Sequence, residues 1–246
     1  MKNNFSGLKE QLLSAIFPKG GSCAGCGRIL FHEDILCDKC SNDLPEAEFF
    51  CERCGRLIRE KGVCAGCVDG ISKWDMAYCL YEYSFPADEM IINMKYHSKP
   101  YLSEYLGRKL GEMLKKKVKE KEFDVITFIP SAAERLSERG YNQAELLAEE
   151  VGKVMNIPVR TLIGTEDTPH QVGLAAAERY KNARDRFSFV ESGDISKMKI
   201  ILIDDVMTTG ATMAAASEVL RENGCEYILA ATVAQTLSEV VKEGDV

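Results

Sequence analysis

Two stretches of the sequence carry residue types suited to chemistry. The first is Ile201-Leu202-Ile203-Asp204-Asp205-Val206-Met207-Thr208-Thr209-Gly210-Ala211-Thr212. An apolar run ends in two carboxylates, and a loop of small and hydroxyl-bearing residues then leads into helical spacing. Backbone N–H groups at a helix start, with the hydroxyls of Thr208, Thr209 and Thr212, suit a phosphate dianion. Gly210 permits close backbone approach. Asp204 and Asp205 would repel phosphate, but they can accept hydrogen bonds from the vicinal hydroxyls of a ribose. Such bonds to a charged acceptor contribute about 1.5–3 kcal/mol each. The segment therefore reads a sugar diol and a 5-phosphate together. A capped helix after a buried strand, with a solvated acidic turn, accounts for any single residue here but not for the whole string. A Walker P-loop is excluded because no Gly-Lys-Ser/Thr occurs. A receiver-type acidic pocket has no need of Thr-Thr-Gly-Ala-Thr.

The second stretch is a set of cysteines. Eight of the ten fall into four Cys-x-x-Cys pairs: Cys23/Cys26, Cys37/Cys40, Cys51/Cys54 and Cys64/Cys67. A two-residue gap lets both thiolates of a pair face one tetrahedral metal, and Gly27 and Gly55 follow the first and third pairs, where such a knuckle turns. Cys-Ala-Gly-Cys-Gly-Arg-Ile-Leu at 23–30 recurs as Cys-Glu-Arg-Cys-Gly-Arg-Leu-Ile at 51–58. A tandem duplication most simply gives two consecutive four-cysteine zinc sites, although spacing alone also allows a cross-braced pairing. Disulfides need an oxidising compartment, and four redox-active pairs in tandem are a poor alternative. Four thiolates leave no open coordination position, so this zinc folds the module rather than catalyses. Few large apolar residues lie here, so the metal must supply most of the stability. Cys79 and Cys225 stand alone among apolar residues and read as buried structural thiols.

These residues need elements to hold them. Short apolar runs alternate with amphipathic helices from about residue 74. The pattern predicts strands at 76–83, 124–130, 199–204 and 227–234, and helices at 86–96, 102–118, 142–155 and 211–223. Ala144, Leu147, Ala148 and Val151 share one face of the third helix, and 199–204 is apolar enough to be buried on both faces. Alternating β and α elements predict an α/β fold with an open, mainly parallel sheet flanked by helices, and a ligand at the carboxyl ends of the strands. The composition divides the chain into 1–70, an N-terminal helix plus the zinc module, and 71–246, the α/β domain. Phe5, Leu8, Leu12 and Ile16 recur at helical spacing in a segment with no secretory or membrane-spanning pattern, which places the protein in the cytoplasm. A net charge of −7 argues against coating nucleic acid through overall charge.

The 204–212 string resembles the motif for 5-phosphoribosyl 1-diphosphate (PRPP) in type I phosphoribosyltransferases. Arg139-Gly140-Tyr141-Asn142-Gln143 followed by Ala-Glu-Leu-Leu-Ala, then Gln171, Arg179 and Asn182, then the acidic pair, extends the likeness. Together with the cysteines, the chain resembles the ComF family from Cys23 to about Ala234. The resemblance implies a type I phosphoribosyltransferase fold, PRPP with Mg2+ as ligands, and a link to uptake or processing of single-stranded DNA, in some members for natural competence. Members usually carry basic residues before the glutamine; here Glu166 and Asp167 stand there, which counts against a nucleic-acid contact through that loop.

Other candidates are weighed singly. Lys95 lies near a helix end and can face the pyrophosphate or remain solvated. His97 reads as incidental. Arg135 and Arg139 flank a loop after the 124–130 strand, at the sheet edge suited to anions, and Arg139 is favoured by its neighbours Gly140 and Asn142. The cluster Lys115, Lys116, Lys117, Lys119 and Lys121 reads first as a solvated helix end. The functional expectation is phosphoribosyl transfer, with Asp204 and Asp205 fixing the ribose and Lys95, Arg139 and residues 206–212 binding the rest of the substrate. The alternative is a binding module that holds PRPP, a nucleotide or single-stranded DNA and docks on a DNA-uptake helicase through its zinc module. A zinc-ribbon transcription factor is disfavoured, because residues 21–75 show no basic excess.

Overall fold

Four apolar runs of the chain line up side by side in a parallel sheet, as their two-faced hydrophobicity requires. A computed structural model describes residues 21–30, 34–96, 99, 101–118, 123–165, 186–191 and 193–241. In chain order the helices are α1 (Asp38–Asn42), α2 (Ala65–Val68), α3 (Ala87–Tyr96), α4 (Tyr101–Lys117), α5 (Ala133–Arg139), α6 (Gln143–Met155) and α7 (Ala211–Glu222). The strands are β1 (Phe49–Phe50), β2 (Leu57–Ile58), β3 (Val63–Cys64), β4 (Met76–Glu82), β5 (Val125–Phe128), β6 (Ile163–Thr165), β7 (Phe187–Phe189), β8 (Lys199–Met207), β9 (Tyr227–Gln235) and β10 (Val240–Val241).

The central sheet has the order β4-β9-β8-β5, with every pair parallel. Ile200 through Ile203 are fully buried, as expected for a strand covered on both faces. α4 and α6 pack together on one side of the sheet, joining Leu102, Leu106, Leu110 and Leu114 to Leu147, Ala148 and Val151 in one core. α7 covers the other side with Met213, Ala216, Val219 and Leu220. All four carboxyl ends therefore open on one edge of the sheet.

β8 does not stop at Asp204. It stays paired with β9 through Met207↔Gln235, while its other neighbour, β5, ends opposite Ile203. The acidic pair thus sits inside a strand, at the level where β5 falls away. The segment after β5, expected to be a loop, contains the seven-residue helix α5 carrying Arg135 and Arg139.

The cysteine-rich part packs into both cores. Cys23, Ala24, Leu36 and Cys40 share a core with Met90 and Met94 of α3, whereas Cys51, Cys54, Ile58 and Cys64 share the other with Trp74, Met207 and Met213. The chain also returns to the second ribbon, where β10 pairs antiparallel with β3. The N-terminal helix expected over 1–17, His97, Lys119, Lys121, Glu166, Asp167, Gln171, Arg179 and Asn182 lie outside the described residues. Among the described residues, no helix is long and apolar enough to cross a membrane.

Candidate functional site: a braced loop at the sheet edge and two four-cysteine clusters

The cysteines gather as two consecutive sets, Cys23, Cys26, Cys37 and Cys40, and Cys51, Cys54, Cys64 and Cys67, with the sulfur atoms of each set within 4.8 Å of one another. A tetrahedron with zinc–sulfur bonds of about 2.3 Å has edges of about 3.8 Å. The Sγ–Sγ distances of 3.8 Å for Cys26/Cys37, 3.8 Å for Cys51/Cys67 and 3.6 Å for Cys54/Cys64 match it. Backbone N–H groups turn toward the sulfurs, Cys37 to Cys23 at 3.4 Å and Cys64 to Cys51 at 3.3 Å, as metal knuckles require. Both sets fit structural Zn2+. The pairing is consecutive, not cross-braced. Cys79 and Cys225 are buried apart from these sets, and burial pushes their thiols up to about 12 and about 11.

At the sheet edge, Lys95 Nζ at the end of α3 lies 2.9 Å from Asp205 Oδ1. Asp205 is 8% exposed; Asp204 is half-buried, and one of its oxygens accepts the Asp205 backbone N–H at 2.8 Å. Burial, then the charge of Asp205, raises Asp204 well above the usual carboxylate range, against the pull of Lys95 and Arg135. For Lys95, burial acts downward, but Asp205 and Asp204 outweigh it and hold the ammonium above its usual value. The result is a carboxylate pair in which Asp205 is ion-paired to Lys95 and Asp204 holds its proton more tightly than a free carboxyl group does.

The loop that follows β8 is shaped from outside. Gly210 caps α7 in the left-handed region at φ +81°, and a Cβ there would lie 3.0 Å from the Trp74 ring and 3.2 Å from Arg56 Nη1. Arg56 Nη1 donates to the Thr209 carbonyl at 2.6 Å, and its Nη2 donates to the Thr208 carbonyl, which also accepts from Thr236 Oγ1 at 3.1 Å. Among the described residues, no hydrogen bond takes up the N–H of Thr209 or Gly210. Thr208 and Thr212 are exposed, Val206 and Thr209 are half-buried, and Met207 and Ala211 are buried. Thr209 Oγ1 accepts the Ala211 N–H at 3.3 Å. This leaves a small turn of free donors one residue beyond the strand that carries the acidic pair.

The run Arg139-Gly-Tyr-Asn-Gln143 braces this edge. Tyr141 donates its hydroxyl to the Met94 carbonyl at 2.6 Å, next to Lys95. Asn142 caps α6 by accepting from Ala144, and donates to the Ile129 carbonyl at 3.0 Å. Arg139 stacks on the Tyr96 ring at 4.6 Å and donates to Gln143 Oε1 at 3.3 Å. Its hydrogen bond therefore goes within α5 and α6, while Arg135 supplies the arginine charge that Asp204 senses. Of the basic cluster, Lys115, Lys116 and Lys117 close the last turn of α4, where their charge complements the helix carbonyl end. Arg56 was legible only as a repeat position, and the equivalent Arg28 gives no hint of its role.

Comparison with known proteins accords with these two parts. Residues 12–68 match the double zinc ribbon domain family, and residues 136–244 match the phosphoribosyl transferase domain family. One relative is competence protein F of Haemophilus influenzae, 26% identical, with 85% of this chain and 88% of that protein covered. Over most of its length the chain is similar to this competence protein. Competence protein ComFC of Bacillus subtilis is 27% identical, covering 80% of this chain and 82% of its own length. DNA utilization protein YhgH of Salmonella typhimurium is 22% identical, with 82% and 91% covered. The matched zinc-ribbon segment holds both four-cysteine sets, and the matched phosphoribosyl transferase segment holds β8 and β9 of the parallel central sheet.

Proposed function

We propose that the chain binds PRPP, or a related ribose 5-phosphate, at 204–212, and serves the uptake or processing of DNA in the cytoplasm. The observation that carries this reading is the meeting of Lys95, Asp204 and Asp205 beside a turn with free N–H donors. The 5-phosphate occupies that turn, held by the amides of 208–212 and the hydroxyls of Thr208, Thr209 and Thr212. Asp204 and Asp205 accept from the ribose hydroxyls. Lys95 keeps Asp205 compensated until the ligand arrives and offers its charge to the diphosphate. Val206, Met207 and Ala211 contribute backbone and packing rather than side-chain bonds.

Carboxylate and diphosphate oxygens are the hard donors that Mg2+ takes, so Asp204 and Asp205 are compatible with it at the rim of the site. Asp204 and Asp205 would hold it there, and it would supply charge neutralisation for a leaving diphosphate. In transfer, the bond from C1 to the diphosphate breaks as a bond from a nitrogen nucleophile to C1 forms, and diphosphate departs. The chain's own residues act by positioning the ribose and by balancing charge around it. The names of the competence and DNA utilization relatives support the link to DNA. Single-stranded DNA and a DNA-uptake helicase docked on the zinc module are the partners of this reading.

The deciding experiment is pyrophosphate release from PRPP and Mg2+ with a panel of bases, ammonia and single-stranded DNA. Release that is lost in Asp204→Asn/Asp205→Asn establishes the transferase. Saturable binding without release assigns the protein to the binding-module class. No interaction with any ribose phosphate removes the reading.

A further inference from the structure

Arg56 connects the second four-cysteine cluster to the phosphate loop. It follows Cys54 by two residues, is 5% exposed, and lies within the field of Cys51, Cys54, Cys64 and Cys67. Its Nε is buried without a hydrogen-bond partner among the described residues, while its two terminal nitrogens grip the carbonyls of Thr208 and Thr209. A buried guanidinium is costly unless compensated. Four thiolates on one Zn2+ carry a formal charge of about −2, which supplies that compensation. The planar fork then fixes two neighbouring carbonyls at once, as a lysine ammonium would not.

The consequence lies in the peptide plane. In a trans peptide, the carbonyl of one residue and the N–H of the next point in opposite directions. Drawing the carbonyls of Thr208 and Thr209 toward Arg56 turns the N–H groups of Thr209 and Gly210 away from it. Both donors lack a partner among the described residues, as does the Thr208 N–H beside them. The Trp74 ring supports the same arrangement, donating Nε1–H to the Cys54 carbonyl at 3.1 Å while lying against Gly210.

We propose that Arg56 is a positioning residue that makes the phosphate-binding conformation of 208–210 depend on metal in the second four-cysteine cluster. The second ribbon is then part of the anion site's machinery as well as a fold stabiliser. The affinity part of this inference rests on the ribose-phosphate reading above; the dependence of loop geometry on metal does not.

The test uses the full zinc-loaded chain and three readouts: zinc per chain, the 13C carbonyl resonances of Thr208 and Thr209 without ligand, and calorimetric affinity for PRPP–Mg2+ and for ribose 5-phosphate. Arg56→Lys retains both zinc ions, shifts the two carbonyl resonances and weakens both ligands by about tenfold or more, the loss expected for charged hydrogen bonds. Chelator titration of the unmutated chain moves the same resonances in step with zinc leaving the second cluster, so the test survives if the variant fails to fold. Unmoved resonances on release of that zinc overturn the proposal, as does unchanged affinity in a zinc-replete Arg56→Lys chain. If neither ligand binds the unmutated chain while the resonances still follow zinc, the ligand reading fails and the metal–loop connection stands.

Discussion

The two ribbons carry the same metal chemistry in very different surroundings. In the first, Arg28 is exposed and Ile29 is 66% exposed; in the second, their counterparts Arg56 and Leu57 are 5% and 1% exposed. The first touches the domain through α3, where Asn93 donates to the Ala24 carbonyl. The second bonds to the 208–210 loop, donates the Leu57 N–H to Gln235 Oε1 at 3.0 Å, and pairs with strand β10. A duplicated motif has thus been put to two uses. One copy clamps the flank of a helix, and the other backs the loop after β8. Position in the fold, not the motif, decides what each arginine does.

The strongest way to break this comparison is to remove one ligand from each cluster. Cys64→Ser, at a fully buried thiol, should reduce zinc to one per chain and lower the melting temperature by about 10 °C or more, since structural zinc contributes on the order of 10 kcal/mol. Cys26→Ser, at an exposed thiol, should also release one zinc but leave ribose 5-phosphate affinity within about threefold. Equal loss of affinity in the two variants would erase the distinction.

The knuckle glycines sharpen it. Gly27 and Gly55 have φ of +73° and +70°, so alanine costs each about 1–2 kcal/mol in the left-handed region. A Cβ on Gly27 meets nothing within 4 Å, but on Gly55 it would lie 2.3 Å from the Ala77 carbonyl of β4. Gly55→Ala should therefore cost about 3 kcal/mol or more in denaturant unfolding, and Gly27→Ala no more than about 2 kcal/mol. Matching costs would mean that the second ribbon is not pressed against the sheet.

A smaller effect separates the carboxylates from the metal sites. Asp204 holds its proton more tightly when folded than when unfolded, so the folded state binds more protons over the window from about pH 4 upward to its raised value. Stability must fall as pH rises through that window. Asp204→Asn should flatten this slope in melting curves taken from about pH 5 to about pH 9, with zinc content unchanged. A slope that persists in the variant would place the titration elsewhere. Least of all, Arg28→Ala should change stability by no more than about 0.5 kcal/mol, in contrast to its buried counterpart.

Much of this was legible in the sequence because it is written in local pattern. The four central strands and the helices α3, α4, α6 and α7 fall within a few residues of their expected bounds, since apolar periodicity and the caps Asn142 and Gly210 define them. Consecutive cysteine pairing followed the repeat. The continuation of β8 to Met207 was hidden, because two aspartates interrupt the apolar run and only pairing to β9 sustains the strand. α5 was hidden as well; it has no buried residue, so no periodic signal marks it. The partnerships of Lys95 with Asp205 and of Arg56 with a loop 153 residues away are tertiary, and nothing local distinguishes Arg56 from Arg28.

The central claim is that 204–212 seats a ribose 5-phosphate at a carboxylate pair ion-paired through Asp205 to Lys95. Calorimetric titration of the zinc-loaded chain with PRPP and Mg2+, in parallel with Asp204→Asn/Asp205→Asn, tests it most directly. The account predicts saturable binding at one ligand per chain that the double variant loses. Heat indistinguishable from buffer in the unmutated chain, or equal affinity in the variant, would contradict it.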